Sequence, residues 1–264
     1  MTDPLARFRL DGRTALVTGA RREIGRAIAL ALAGVGARVA VHHAGTPEEA
    51  RDAAGVVAEI GAGFGAEIGA DRAQAFAADF TAPHAGRDLA AAVTAAMGPI
   101  DILVINASIE ILQGTTEITR ESFEAQVNVN LWATLELMQA LVPPMAAAGW
   151  GRVVTIGSVQ QAFPSDQMLV YAGAKAMQHN WAVNLARQYG RQGVTVNNIA
   201  PGAIATARNA GHLGKDGGAL LARTPAGRYG TPDDLVGAAL LLCTPAGEFI
   251  TGANLFVDGG RLIG

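Results

Sequence analysis

The chain has 264 residues, of which 50% are hydrophobic, and a formal net charge of −3. This length suits one domain with a large buried core, and the charge offers no basic surface for a nucleic acid. The single cysteine, Cys243, excludes an internal disulfide and is typical of the reducing cytoplasm, and no apolar stretch is long enough to predict a membrane span. The five histidines lack metal-ligand spacing, so we expect no metal site.

Short β-branched runs alternate with alanine-rich segments along the chain, which predicts strands joined by helical crossovers. The predicted strands are Thr14–Val17, Arg38–Val41, Gln74–Ala78, Asp101–Ile105, Arg152–Ile156, Thr195–Ile199 and Asn254–Val257. The predicted helices are Gly25–Gly34, Pro47–Ile60, Glu121–Ala147, Tyr171–Tyr189 and Pro232–Leu242. Such connections make a sheet parallel, so we predict one α/β domain over residues 1–264. Its fold is a Rossmann-like, doubly wound sheet of about seven strands with helices on both faces.

A glycine-containing turn follows the first predicted strand, in the segment Thr18-Gly19-Ala20-Arg21-Arg22-Glu23-Ile24-Gly25. Between a strand and a helix, such a turn brings backbone N–H groups to the pyrophosphate of a dinucleotide. A plain strand–helix connection also needs small residues, so the segment alone leaves both interpretations open. The Glu23 carboxylate would repel a pyrophosphate unless its side chain turns outward, toward Arg21 or Arg22.

A second motif lies in the predicted helix Tyr171–Tyr189, where Tyr171 and Lys175 are one turn apart and share a face. A tyrosine exchanges protons near neutral pH only if its pKa falls, and a nearby ammonium group lowers that pKa. Ser158, thirteen residues before Tyr171, adds a hydroxyl that could hold a substrate oxygen. By itself, the pair could equally belong to a solvated helix surface.

Together these motifs resemble the short-chain dehydrogenase/reductase family, and the resemblance extends over essentially the whole chain. The glycine turn is similar to the family's Thr-Gly-x-x-x-Gly-x-Gly, with Glu23 in place of the middle glycine. Tyr171 and Lys175 match the family's Tyr-x-x-x-Lys, and Asn106-Ala107-Ser108 is similar to its Asn-Asn-Ala-Gly. Asp258-Gly259-Gly260 matches the family's C-terminal signature.

The resemblance implies a nicotinamide dinucleotide in contact with these motifs. The implied cofactor-binding residues are Gly19, Arg21, Arg22, Ile24, Gly25, His43, Asp79, Phe80, Asn106, Ala107, Tyr171, Lys175, Pro201, Gly202, Ile204 and Thr206. NAD-binding members carry an acid after the second strand, where this chain has His43, so no carboxylate repels a 2′-phosphate. Arg21 and Arg22 could pair with that phosphate, or could instead be solvated or paired with Glu23. We therefore expect NADP(H) rather than NAD(H).

For catalysis, the resemblance implies hydride transfer between the nicotinamide and a carbonyl or carbinol carbon. Tyr171 would give or take the proton, and Lys175 would lower its pKa and hold the ribose hydroxyls. Ser158 would orient the substrate oxygen, and Asn130 would anchor a water in a proton relay behind Lys175.

The segments that resemble the family's substrate walls carry polar side chains. They include Ser108, Glu110, Gln160, Asn209 and His212, a set that suits a hydroxylated substrate. The local sequences also resemble the sugar-dehydrogenase branch, so we predict a sugar or polyol substrate. A 3-oxoacyl thioester reductase, a pteridine-like ketone or imine reductase, and a catalytically idle, cofactor-sensing protein remain alternatives.

The resemblance further implies a homotetramer, with the helices Glu121–Ala147 and Tyr171–Tyr189 in one of its interfaces. The apolar faces of these helices equally suit the core of a monomer. We expect a small-molecule substrate and neither a nucleic acid nor a membrane as a partner.

Overall fold

A seven-stranded, all-parallel sheet forms the centre of the computed structural model, which describes residues 3–63, 72–163, 165–209 and 217–264. The strands are β1 Thr14–Val17, β2 Arg38–His43, β3 Ala73–Ala77, β4 Ile102–Ile105, β5 Gly151–Ile156, β6 Val194–Pro201 and β7 Asn254–Val257. They lie in the order β3-β2-β1-β4-β5-β6-β7, so the chain reverses direction across the sheet between β1 and β4. The predicted Rossmann-like fold is confirmed.

Helices cover both faces of this sheet. They are α1 Glu23–Gly34, α2 Pro47–Gly63, α3 Ala85–Met97, α4 Arg120–Val127, α5 Ala133–Ala147, α6 Leu169–Tyr189, α7 Gly217–Ala222 and α8 Val236–Cys243. Helix α2 begins at a proline, which is pre-set for the first helical turn, and carries Glu48 and Glu49 there, where acids favour the helix dipole. None of the helices in the described ranges is both long and apolar enough to cross a bilayer.

Side chains of each strand alternate between two apolar layers. In β4, Ile102 and Val104 pack in the layer beneath α1 and α8, whereas Leu103 and Ile105 pack in the layer beneath α3 and α5. All four are at most 2% exposed. Because these two layers hold the strands rigidly, the residues that follow the strands meet at one fixed edge of the sheet.

Three features differ from the sequence-based expectation. Helix α3 was not predicted, although Leu89, Val93 and Met97 recur at a four-residue spacing and are buried. The predicted helix Glu121–Ala147 is interrupted by a π-helical turn at Asn128–Trp132, where the N–H of Ala133 donates to the carbonyl of Asn128.

The third difference is at the end of β2. This strand continues two residues beyond its predicted end at Val41, so both histidines at positions 42 and 43 are in the sheet. This extension places both histidines at the carboxyl edge of the sheet, where they line a cleft.

Candidate active site

A cleft of about 780 Å³ lies along the carboxyl edge of the sheet. Every residue predicted for the site lines it, with two exceptions. Asn130 lies behind the wall and is fully buried, and His212 falls outside the described residues. Chain reversal between β1 and β4 opens this crevice, which is where doubly wound sheets bind ligands.

The glycine turn after β1 is shaped for a close approach. Gly19 has a φ of 62°, which favours glycine, and a Cβ on Gly25 would overlap the Gly19 carbonyl oxygen and lie 2.6 Å from Asn106 Nδ2. The Asn106 amide donates to the carbonyls of Thr18 and Gly19, each at 3.0 Å. Arg22, which precedes α1, provides no side-chain cap. The first N–H groups of α1 therefore remain available to a phosphate, and this turn fits a dinucleotide.

The Glu23 side chain turns to neither Arg21 nor Arg22, the two partners considered from the sequence. Its Oε1 accepts a hydrogen bond of 2.5 Å from the backbone N–H of Ala207, in the segment after β6. Glu23 also has a φ of 51°, in the left-handed region that the family's glycine would occupy without strain. The carboxylate thus joins the phosphate turn to the opposite wall of the cleft.

At the adenosine end, the two predicted arginines differ. Arg21 is 13% exposed and pairs with Glu49 at 3.2 Å and Asp52 at 2.5 Å. Arg22 is exposed and has no hydrogen-bond or ion-pair partner among the described residues. His43 is buried, and burial lowers the pKa of its imidazole. Of the two predicted phosphate-binding arginines, therefore, only Arg22 is available without breaking an existing ion pair.

His42 is a site residue that the sequence analysis missed. Its Nδ1 accepts a hydrogen bond of 3.0 Å from the N–H of Gly19, and its Nε2 lies 2.9 Å from the carbonyl of Ala78. Its ring stacks on Phe80, with centroids 4.4 Å apart. Burial lowers the pKa of His42 to about 4, so the imidazole is neutral at pH 7. The available signal was a histidine directly after the apolar run Val39–Val41 of this strand.

The Lys175 ammonium group is buried beneath the cleft floor, with only 1% of the residue exposed. Its Nζ donates to the carbonyl of Ile156 at 2.8 Å and to Gln178 Oε1 at 3.1 Å, and lies 5.6 Å from the ring centroid of Tyr171. Burial, and secondarily the charge of Arg208, lowers the pKa of Lys175 to about 7. Burial therefore reduces the fraction of Lys175 that is protonated at neutral pH, and with it the positive charge that was expected to lower the pKa of Tyr171.

Burial raises the pKa of Tyr171 above its usual value, whereas Lys175 was expected to lower it. The charge of Arg208 is the largest opposing influence, and polar contacts with Ser158 and Arg208 also lower this pKa. The Glu110 carboxylate raises it. Tyr171 is therefore a protonated phenol at neutral pH, and the charge that lowers its pKa most comes from Arg208, a residue that was not predicted.

Asn130 lies in the π-helical turn and fixes the segment after β4. Its Oδ1 accepts from the N–H of Ile109 at 3.1 Å, and its Nδ2 donates to the carbonyl of Ile109 at 2.9 Å. Its own carbonyl accepts from Gln178 Nε2 at 2.5 Å. Gln178, also missed by the sequence analysis, thus bridges Lys175 and Asn130.

The substrate end is lined by side chains from three segments. Arg208 donates to Ser108, from Nη1 to Oγ at 3.0 Å and from Nη2 to the carbonyl at 2.6 Å. Gln160 Oε1 is buried without a hydrogen-bond partner among the described residues. Asn209, predicted to bind substrate, instead donates its amide to the carbonyl of Ile204 at 2.8 Å. No group of three or more histidine, cysteine or acidic side chains in the described ranges could hold a metal ion.

Comparison with known proteins agrees with this geometry. The family model adh_short_C2, described as enoyl-(acyl carrier protein) reductase, matches residues 19–261. D-threitol dehydrogenase of Mycolicibacterium smegmatis is 36% identical over 259 residues, which span 97% of this chain and 95% of that protein. A solved 3-oxoacyl (acyl-carrier-protein) reductase from Agrobacterium tumefaciens with NADP bound is 39% identical, with a TM-score of 0.88 and coverage of 98% and 97%.

A gluconate 5-dehydrogenase from Burkholderia cenocepacia, solved in complex with NADP and tartrate, is 32% identical. Its TM-score is 0.89, and the match covers 99% of this chain and 100% of that one. Sequence, fold and the arrangement of Ser158, Tyr171 and Lys175 all lead to one assignment. The chain belongs to the short-chain dehydrogenase/reductase family, oxidoreductases that act on alcohol or carbonyl groups with a nicotinamide cofactor.

Proposed function

We propose that this enzyme interconverts a hydroxylated carbonyl compound and its alcohol, with a sugar or polyol as substrate and NADP(H) as cofactor. One observation carries the substrate class: two residues that line the cleft carry hydrogen-bond acceptors without partners among the described residues. Gln160 Oε1 is buried and unpaired, and the Glu110 carboxylate has no partner among the described residues. A buried acceptor left unpaired is costly, and a substrate hydroxyl would satisfy it.

The bound nicotinamide would supply or accept the hydride. Tyr171 would donate the proton to the carbonyl oxygen during reduction, because burial keeps its hydroxyl protonated at neutral pH. Ser158 would hold the same oxygen, since its side chain contacts the Tyr171 hydroxyl. Gln178 would position the Lys175 ammonium group beneath Tyr171, because it accepts from Lys175 at 3.1 Å and donates to the carbonyl of Asn130 at 2.5 Å.

The preference for NADP(H) rests on the end of β2. His43 and Ala44 bring no carboxylate to the position where an acid would bind the ribose of NAD. Arg22 lies at the same end and has no hydrogen-bond or ion-pair partner among the described residues, although Arg21 is already paired with acids. Relatives with NADP bound support the proposal. A Michaelis constant for NAD(H) equal to or below that for NADP(H) would contradict it.

A substrate panel tests the proposed reaction. Neutral polyols and sugars, sugar acids, simple ketones and a 3-oxoacyl thioester are each assayed with both cofactors, and Tyr171→Phe is the inactive control. We expect turnover of hydroxylated substrates at least about tenfold more efficient than that of the thioester, because unpaired acceptors discriminate against substrates without hydroxyls. Preference for the thioester would instead favour the 3-oxoacyl reductase, an activity named for several relatives.

We also propose a homotetramer. Helices α4 and α6 expose apolar side chains, including Phe123 at 49%, Leu169 at 57% and Met177 at 44%. Exposed apolar groups on neighbouring helices are typical of association surfaces. Sedimentation at micromolar concentration checks this proposal, and a monomer would contradict it.

A further inference from the structure

An arginine lies beside the proton-transfer residue without an acidic partner. Arg208 is exposed on the segment after β6, and both of its terminal nitrogens donate to Ser108. These two bonds, of 3.0 Å and 2.6 Å, fix the guanidinium in the cleft near Tyr171. A guanidinium has five N–H donors, so further donors remain after Ser108 is bound.

Several other arginines of the described chain already carry an acidic partner. Arg26, Arg120 and Arg228, for example, each pair with a carboxylate, whereas no acidic side chain in the described ranges lies within ion-pair distance of Arg208. A planar, permanently charged fork that is oriented by neutral groups alone is suited to recognise a carboxylate from outside the chain.

A second cation lies in the same cleft. Two nitrogens of Arg261, Nε and Nη1, are buried with no partner among the described residues, and its guanidinium carbon lies 5.2 Å from the ring centroid of Phe163. Two acids, Glu110 and Asp166, carry the opposing charge in the lining of the substrate end. The cleft therefore offers both unpaired cations and unpaired acceptors, as a molecule with a carboxylate and several hydroxyls requires.

We propose that the Arg208 guanidinium binds a carboxylate of the substrate, so that the enzyme acts on polyhydroxy acids of the aldonate class in preference to neutral polyols. This inference rests on the proposed function, because the remaining hydroxyls of the acid would meet the acceptors on Gln160 and Glu110. Arg208 is then the specificity-determining residue of the site. It discriminates by charge, whereas the acceptors discriminate by hydroxyl content.

The test compares a keto-hexonate with the ketohexose that lacks its carboxylate. Both are reduced with NADPH at about pH 6, where Tyr171 stays protonated with or without Arg208, so that proton transfer is not altered by the mutation. Wild type is compared with Arg208→Gln, with Arg208→Lys, and with Arg120→Gln as the matched control. Arg120 is an exposed arginine of α4 paired with Glu124, so this control makes the same charge change outside the cleft.

We expect Arg208→Gln to lower kcat/KM for the keto-acid about 10- to 100-fold, the range given by loss of a charge-assisted hydrogen bond. The ketose should change by less than about threefold, Arg208→Lys should restore part of the loss, and Arg120→Gln should match wild type. An equal loss on both substrates would overturn the inference, because Arg208 would then act on proton transfer or on the local fold.

A wild-type enzyme that reduces the neutral ketose better than the keto-acid would also overturn the inference, while leaving the proposed function intact. Turnover of the 3-oxoacyl thioester alone would contradict the proposed function itself, and the inference with it. The NADPH affinity of each variant, measured by fluorescence, shows whether the cofactor end is still folded. If Arg208→Gln does not fold, Arg208→Lys still tests the inference.

Discussion

The two ends of the cleft are held in place by different kinds of contact. At the cofactor end, the turn after β1 is fixed by hydrogen bonds from Asn106 to two carbonyls and from the Gly19 N–H to His42. At the substrate end, backbone hydrogen bonds hold the segment after β6 as far as Ala205, but Ala207 and Arg208 are joined to the rest of the cleft through side chains, Glu23 to Ala207 and Arg208 to Ser108. Under the proposed function, the first end would bind the cofactor with backbone that is already in position, and the second would bind the substrate with side chains that can be replaced.

This difference between the two ends predicts which mutations should affect turnover, cofactor affinity or substrate selectivity. Mutations at the floor of the cleft around Tyr171, where the two ends meet, should affect turnover most. Mutations at the cofactor end should change stability and nucleotide affinity together, because the same bonds serve both. Mutations at the substrate wall should leave the fold intact.

The largest effect is expected where the two ends meet. Tyr171→Phe should lower kcat by about 10³-fold, within the range that removal of a general acid–base group produces, and should leave NADPH affinity within about twofold. Stopped-flow turnover and fluorescence titration measure the two quantities. Activity within tenfold of wild type would remove Tyr171 from its proposed role.

Acid should weaken the cofactor end through His42. Its folded pKa of about 4 lies below the usual 6.5, so the stabilisation is fully present above pH 6.5 and is lost as pH falls toward 4. Between pH 7 and 4.5 the loss should be about 2 to 3 kcal/mol of unfolding free energy. Denaturant titration of wild type and His42→Gln at both pH values measures it, because the variant shares every other titrating group. Identical pH dependence in the two proteins would contradict a buried neutral imidazole.

Gln178 connects two parts of the site, because it is hydrogen bonded both to Lys175 beneath the cleft floor and to Asn130 behind the cleft wall. Gln178→Leu removes the acceptor of the Lys175 ammonium group, so the pKa of Lys175 should fall below about 7, whereas Gln178→Glu should raise it. We expect kcat to fall about tenfold in Gln178→Leu with little change in KM. The pH at which the rate is half-maximal should move in opposite directions in the two variants. Equal shifts would show that Gln178 only packs.

The smallest effect is expected at Glu23. Glu23→Gln removes a negative charge from the phosphate turn but keeps an acceptor for the Ala207 N–H, so NADPH affinity should rise about threefold. Isothermal titration at low and high salt measures it, and the gain should shrink as salt screens the charge. A loss of affinity would indicate that the cofactor depends on the Glu23 carboxylate.

The two ends of the cleft also differ in how many of their residues could be predicted from the sequence. Gly19, Gly25 and Asn106 could be identified because backbone approach dictates which residues fit, and strand periodicity placed all seven strands. His42 and Gln178 were missed because a buried polar residue reveals its partner only when distant segments meet. Arg208 was missed because its proposed role depends on having no acidic side chain nearby among the described residues, which the sequence does not show. Glu23 stood out by its charge, but its partner lies 184 residues away in the chain.

The π-helical turn at Asn128–Trp132 means that the helix carries one surplus residue. A π-helical turn accommodates such a residue locally, so that the residues before it keep the orientation that an uninterrupted α-helix would give them. If the same residue were accommodated in α-helical geometry, everything before it would rotate by about 100° relative to α5. Gln126, only 1% exposed and hydrogen bonded through Oε1 to the N–H of Ile111, would then leave the interior. The π-helical turn therefore preserves the buried position of Gln126 although the helix carries one extra residue.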